Sequence, residues 1–416
     1  MDLSFYLTAT NYVAWFIFMF ISVVWVLVML QNRNRGELLK VWKQLPKISI
    51  IIPAYNEEKT IAKTIESVLA LDYPKRLLDI IMVNDCSKDH TREKAEPFAK
   101  NGDIRLLNNP VNKGKAYSLN HAMRMCNGDF VACVDADSIV ERDILKKLLP
   151  YFYNDKVGAV TPALKVWKSE SYLEKVQSAE YILNIFLRKM LSFLDSVHVT
   201  PGVFSIYRLS VLKEVGGFDE NNLTEDMEIA LKIHDAGYSI ESNLNAMSYT
   251  MCPQGWRELY RQRLRWYRGG LENMVKYKHM MFNPSYGNLG VFFLPMNFIA
   301  IMAIIVIFLN MAYTQTDSIV STYMRMSLIR FDVLSLIGTV DLPVLLESFL
   351  STQLLFSMAG IILGALVLWV SFRTVGMQMR GNTRGYIMYL FLFPLFMMGF
   401  WFAAIVHEVA GARKRW

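Results

Sequence analysis

Cysteine is sparse in this chain. Its four cysteines are Cys86, Cys126, Cys133 and Cys252, and no two form a CxxC pair. That spacing offers neither a zinc ribbon nor a disulfide framework, and Cys126 and Cys133 read as small core residues. The N-terminus lacks the basic start, short apolar run and small-residue cleavage site of a signal peptide. Internal repeats and low-complexity tracts are missing. So are zinc-finger spacing and other nucleic-acid-binding signatures, and nucleic acid is not an expected partner despite a net charge of +7. The long apolar runs carry almost no charge, whereas a transporter or channel would place charged groups inside its spans.

The 53% of residues that are hydrophobic gather at the two ends, around a mixed and charged middle. Residues 11–30 are uncharged and long enough to cross a bilayer. Only Asp2 precedes them, and Arg33, Arg35, Lys40, Lys43 and Lys47 follow. The positive-inside rule then places the N-terminus outside and the next domain in the cytoplasm. Residues 289–313, 350–372 and 386–406 are further candidate spans, the first and third interrupted by Pro295 and Pro394. Residues 314–347 read as an interfacial helix or an extracytoplasmic loop. Three spans after a cytoplasmic domain would leave the C-terminus outside, yet the ending ARKRW favours the inside. A re-entrant third segment or a crossing hidden in 314–347 would reconcile the two.

The expected organisation is a membrane helix and basic linker at 1–46, a soluble domain at 47–255, an interfacial helix at 256–285 and a membrane bundle at 286–416. In the soluble region, apolar strand runs at 48–52, 79–83, 104–107, 130–134 and 157–161 alternate with helical patterns at 57–71, 88–100, 115–126, 144–153, 171–194 and 226–236. Alternation of this kind predicts an α/β fold with a mostly parallel sheet, which binds ligands beyond the carboxyl ends of its strands.

Three clusters fall there. Pro53-Ala54-Tyr55-Asn56-Glu57 follows the first strand. Tyr55 suits stacking on a base and Glu57 suits accepting a base N–H, while Asn56 suits an ordinary helix cap. Asn84-Asp85-Cys86-Ser87 follows the second strand, as either a ribose or base contact or a capped turn. Asp135-Ala136-Asp137 closes a very apolar strand. Two carboxylates there are either solvated loop residues or, at the end of so buried a strand, costly unless something positive lies between them, a need that a divalent cation completed by diphosphate oxygens answers.

Two clusters lie further on. Thr224-Glu225-Asp226 opens a helix, where acids are common for dipole reasons, but where Asp226 also suits a general base. GWRELYRQRLRWYRGG at 255–270 sorts, as a helix, into an apolar stripe and a basic one. Trp256, Tyr260, Leu264 and Tyr267 make the first; Arg257, Arg261, Arg265 and Arg268 make the second. Lipid headgroups and a leaving diphosphate both fit the basic stripe.

Together these motifs resemble the family 2 glycosyltransferases with a GT-A fold, above all the membrane-integrated processive hyaluronan, poly-N-acetylglucosamine and cellulose synthases. The likeness rests on PAYNE at 53–57, ND at 84–85, GKA at 114–116, DAD at 135–137, PGVF at 201–204, TED at 224–226 and QRLRW at 262–266, in that order. It implies a nucleotide-sugar site of Tyr55, Glu57, Asp85, Lys115, Asp135, Gln262, Arg263, Arg265 and Trp266. It implies Mg2+ or Mn2+ on Asp137 and Asp135, Asp226 as the catalytic base with Glu225 beside it, and acceptor contacts from Gly202, Val203, Phe204 and Trp266. A UDP-sugar donor, a growing glycan or a lipid acceptor, and membrane lipids are the implied partners. Two departures stand out. Asn84 replaces the first of a usual Asp pair, and one N-terminal span stands where many synthases have two. Ceramide-type glucosyltransferases, which add one sugar to a lipid, share the acidic motifs and the single first span.

Overall fold

Strand β1 (Ile48–Ala54) is apolar on both faces because both faces are covered, as in the parallel centre of an α/β sheet. Alternate residues go to opposite layers. Ile48, Ile50 and Ile52 pack with Ile61, Ile65 and Val68 of α2 (Ile61–Leu69). Ile51 joins Ile81 of β2 (Leu78–Asn84), Val131 and Cys133 of β4 (Phe130–Val134) and Leu119 of α4 (Lys115–Met123) on the other side. The computed structural model describes residues 3–33, 42–328, 330–332, 352–377 and 382–412. The linker basics Arg35 and Lys40, residues 333–347 of the expected loop, the first two residues of the expected 350–372 span and the final four residues lie outside the described residues.

The sheet has eight strands in the order β3-β2-β1-β4-β7-β6-β8-β5, with β3 (Arg105–Asn108), β5 (Ser138–Val140), β6 (Val157–Val166), β7 (Val203–Arg208) and β8 (Ser239–Thr250). It is parallel from β3 to β4. Beyond that it is mixed: β7 runs antiparallel between β4 and β6, β5 runs antiparallel to β8, and β6 pairs parallel with β8. The sheet is thus less parallel than its alternating pattern predicts. The added strands β5, β7 and β8 are short or polar-interrupted and carry no long apolar run. Helices α3 (Thr91–Lys100), α5 (Ile144–Leu148), α7 (Leu209–Glu214) and α8 (Glu225–Asp235) complete the domain.

Register levels the strand ends. Ala54 pairs with Asn84, and Asn84 with Asn108, so the loops after β1, β2 and β3 open along one edge. Asn56 does not cap α2. It adopts φ 57°, and its side-chain oxygen accepts from Lys88 N–H at 2.8 Å, stitching the first loop to the second.

Among the described residues, three helices are long and apolar enough to cross a membrane. The first, α1 (Leu3–Asn32), extends beyond the expected 11–30 at both ends. The second is a 40-residue helical run, Leu289–Leu328. It begins with a π-turn at Leu289–Phe293 just before Pro295, whose missing N–H breaks the regular ladder, and continues as α10 (Leu294–Leu328). At 1.5 Å per residue this run is about 60 Å long, roughly twice the hydrocarbon thickness. Residues 314–328, expected as a loop or interfacial helix, are its continuation. The third is α11 (Thr352–Thr374). After it, α12 (Thr383–Phe391) and α13 (Phe393–Val409) meet at a 48° bend beside Pro394, the geometry of a broken span or a re-entrant hairpin.

Close packing joins these helices. A Cβ on Gly360 would come within 2.4 Å of the Trp15 ring, and Asn310 donates to Leu7 O and Asn11 Oδ1 at 2.8 and 2.9 Å. The helix α6 (Tyr172–Phe193), held at its start by a Ser171–Glu174 capping box, lies between the two halves. Its Ile182 and Ile185 join Leu368 and Phe372, and its Phe186 and Met190 join Val28 and Val367.

Candidate active site

At the leading edge, Tyr55 is 41% exposed, as a ring that stacks on a ligand must be. Glu57 is half-buried and accepts from Thr60 Oγ1 at 2.7 Å. Burial, with Asp135 and Asp89 nearby, pushes its carboxyl above the usual range despite that bond.

Asp85 is not presented to the cleft in the same way. It is 2% exposed, and its oxygens accept from Asn109 Nδ2 (2.8 Å), Lys113 N–H (3.1 Å) and Gly114 N–H (2.8 Å). Through these bonds Asp85 braces the turn before α4. Gly114 completes that turn at φ 89°, a conformation glycine adopts without strain. The turn aims Lys115, the first residue of α4, into the cleft.

Lys115 is the hub. Its Nζ lies 2.6 Å from Asp135 Oδ1 and 2.8 Å from Glu225 Oε1, tying the end of β4 to the start of α8. Burial opposes its charge, but Asp135, Glu225 and Asp226 overcome that and hold its pKa well above the ordinary value. Gly202 makes the hub possible. A Cβ there would lie 2.5 Å from Asp135 Oδ1 and 2.6 Å from Lys115 Nζ. Its neighbours Val203 and Phe204, expected as acceptor contacts, are core residues instead, and Phe204 is 0% exposed. The pairing of β4 with β7 shifts register here, and Phe204 takes φ 82°, strained for an aromatic residue. The bulge brings Gly202 against Asp135, whose N–H donates to Gly202 O at 2.8 Å.

The remaining carboxylates differ sharply. Asp137 accepts from Ser138 Oγ (3.2 Å) and Thr250 Oγ1 (3.3 Å). Burial first, then Asp135 and Glu57, push it up to about 7. Burial likewise raises Glu225, but Lys115 and Arg265 outweigh it and leave that carboxyl below its ordinary value. Asp226 is pushed up to about 6 by burial and by Glu225, against the pull of Lys115 and Arg265. Its backbone oxygen accepts from Thr200 N–H (3.1 Å) and Oγ1 (2.9 Å), which locks the acidic turn to the segment leading into Gly202.

The donor set suits a hard divalent cation of partial protein ligation. Among the described residues, no group of three or more His, Cys, Asp or Glu is arranged to hold a metal. Asp137 is raised in part by the charge of Asp135 beside it, a repulsion that a cation between their oxygens would relieve, leaving its other positions for water or phosphate oxygens.

Helix α9 (Trp256–Lys276) closes the cleft. Its apolar stripe packs on α13: Tyr267 stacks on Trp401 at 4.3 Å and 10°, and Trp256 and Tyr260 meet Phe396 and Phe400. The basic stripe divides. Arg268 pairs with Glu408 at 2.5 Å. Arg265 donates to Leu223 O at 3.2 Å, beside the acidic turn. Gly269 lets α9 approach that turn, since a Cβ would lie 2.4 Å from Thr224 Oγ1. Asn273 donates to Thr224 Oγ1 at 3.0 Å and accepts from Asn222 at 2.7 Å. Arg263, expected to touch the nucleotide sugar, is 0% exposed and ion-paired with Glu180 at 2.6 Å. A side chain on the buried face of α9 cannot also reach an open cleft. No motif marks Glu180, Thr200, Thr250 or Asn273; only Thr200, next to Pro201-Gly202, has a neighbour in sequence that flags it.

Residues 49–216 match the family Glycosyl transferase family 2. The chain carries a family 2 glycosyltransferase domain. It is 33% identical over 267 residues to a poly-beta-1,6-N-acetyl-D-glucosamine synthase of Staphylococcus epidermidis, covering 62% of this chain and 64% of that one. Against the Staphylococcus aureus synthase of the same name it is 34% identical over 235 residues, covering 56% and 57%. The chain thus spans about 64% or less of the length of these relatives. A mannosyltransferase from Pyrobaculum calidifontis, solved in complex with GDP-Man and Mn2+, shares the fold over 98% of both chains, with a TM-score of 0.62 at 18% identity. The α/β domain with its apolar helices is therefore a GT-A-like fold with a membrane-type helical region.

Proposed function

We propose that this protein transfers a sugar from a UDP-sugar to the growing end of a β-linked polysaccharide, with inversion, at the cytoplasmic face of a membrane. One observation carries the reading: Lys115 bridges Asp135 and Glu225, and so gathers the DAD and TED carboxylates around one centre. Tyr55 and Glu57 receive the uracil, and Asp85 braces the turn that presents Lys115. Mg2+ or Mn2+, held by Asp137 with Asp135, would supply positive charge against the diphosphate; the Mn2+ in the mannosyltransferase complex is in keeping with this. Lys115 and Arg265 add fixed positive charge where the leaving group gains negative charge. Asp226 takes the proton from the acceptor hydroxyl as its oxygen bonds to the anomeric carbon and the bond to the diphosphate breaks. Attack opposite the leaving group turns an α-linked donor into a β-linkage.

The glycan acceptor and the hexosamine class of product are suggested by the staphylococcal relatives. The basic residues after α1 support a cytoplasmic domain, and the apolar helices beside the cleft give a growing chain a route outward. A second reading, single transfer onto a lipid, is favoured by the stacking of α9 directly on α13, which sets the cleft beside the apolar helices. The test is incubation of the purified protein in lipid with radiolabelled UDP-sugars and Mg2+ or Mn2+. A large, glycosidase-sensitive product is expected. A small, solvent-extractable product from added lipid would establish the second reading, and no transfer from any donor would overturn both.

A further inference from the structure

Arg263 is fully buried, and among the described residues its one ion-pair partner is Glu180 on α6, 2.6 Å away and itself buried. Burying such a pair rarely adds stability, because removing both charges from water costs about as much as their attraction returns. Well-packed apolar side chains would join α6 to α9 as firmly. Arg263 also leaves its Nε without a hydrogen-bond partner, a further cost for a group kept only to fill space. What the guanidinium provides is geometry. Its Cζ lies over the Trp266 ring, 4.2 Å from the ring centroid, and its Nη1 donates to Gln262 Oε1 at 3.2 Å. Arginine has only donors, so it must face the amide oxygen of Gln262. The Gln262 N–H groups are then the ones left for a ligand. One flat cation thus sets the ring plane of Trp266 and the amide direction of Gln262, and Glu180 holds that cation in place.

We propose that Arg263, anchored by Glu180, is a positioning residue that orients Gln262 and Trp266 so that the acceptor hydroxyl, rather than water, meets the donor. This rests on the transfer reaction proposed above. A lysine keeps the charge against Glu180 but has neither the flat face nor the fork. Full-length Arg263→Lys in lipid should therefore release UDP with a donor KM within about threefold of wild type. Its ratio of sugar transferred to UDP released should fall about tenfold, from mispositioning alone. The double variant Glu180→Leu/Arg263→Met should melt no lower than wild type and show the same defect in that ratio. If either variant keeps the wild-type ratio, or if transfer and UDP release fall together by one factor, the pair is merely structural and the proposal fails. A wild-type protein that neither releases UDP nor transfers sugar from any UDP-sugar would instead overturn the underlying reaction.

Discussion

The end of β4 and the start of α8 are built alike and behave differently. Each offers two carboxylates, and in each one is clamped by Lys115: Asp135 on one side, Glu225 on the other. In the companions burial outweighs the pull of Lys115, and Asp137 is pushed up to about 7 and Asp226 to about 6. In both motifs one carboxylate is thus ion-paired to the same lysine and the other is raised. The raised pair then divides by neighbourhood. Asp137 faces other carboxylates, a need met by a cation, whereas Asp226 lies near Arg265 and Lys115, and its raised pKa suits a proton acceptor near neutral pH.

The largest effect that would sharpen this contrast comes from Asp226→Asn. Transfer should drop by about a thousandfold, while UDP affinity by calorimetry stays within about twofold; near-normal transfer would remove Asp226 from the role of base. Asp137→Ala should cut Mg2+- or Mn2+-supported UDP affinity at least about tenfold, and leave metal-free affinity nearly unchanged. In the proposed roles both acids act as anions, so the signs of their pH dependence follow. Transfer at saturating donor should rise with pH through about 6, where Asp226 loses its proton. Metal-supported UDP binding should weaken as pH falls through about 7, where Asp137 gains one. A pH profile flat from 5 to 8 in both assays would break the comparison.

Gly202→Ala tests the hub from outside it. The added methyl would meet Asp135 and Lys115 inside contact distance, and turnover should fall about tenfold in protein that still folds. Wild-type turnover would mean the Lys115 network shifts without consequence. The smallest effect is expected at Glu408→Gln. That change weakens the Arg268 contact between α13 and α9 on its partly exposed Glu408 side, while Arg268 keeps its bond to Ala412 O at 2.8 Å. A slightly lower melting temperature with transfer within about twofold would keep α13 as a support, whereas a large loss of transfer would make it part of the site.

Much of the domain was legible from periodicity. The apolar runs ISIII, DIIMV and FVACV each became a strand of the parallel half, because strands buried on both faces must be apolar throughout. The edge that holds Tyr55, Asp85 and Asp135 followed from where those runs end. Strands β5, β7 and β8 were not legible, since they pair across the sheet with partners distant in sequence and carry polar interruptions. For the same reason Phe204, in the PGVF motif, looked like a contact and proved to be core: its bulge exists only when β7 meets β4.

By itself the sequence determined the order of the elements, the apolar helices at the two ends, and the residue types at the strand ends. Those depend on local pattern and on the length of apolar runs. Only the tertiary structure decided which charges neutralise one another. Lys115 stands 110 residues from Glu225, and Glu180 stands 83 from Arg263. Whether Asp85 and Arg263 are presented or buried, and whether Asp137 and Asp226 are raised, depends on what the fold brings within about 3 Å of them. A Coulomb interaction in a buried site is set by distance and by water, and neither is written in sequence order.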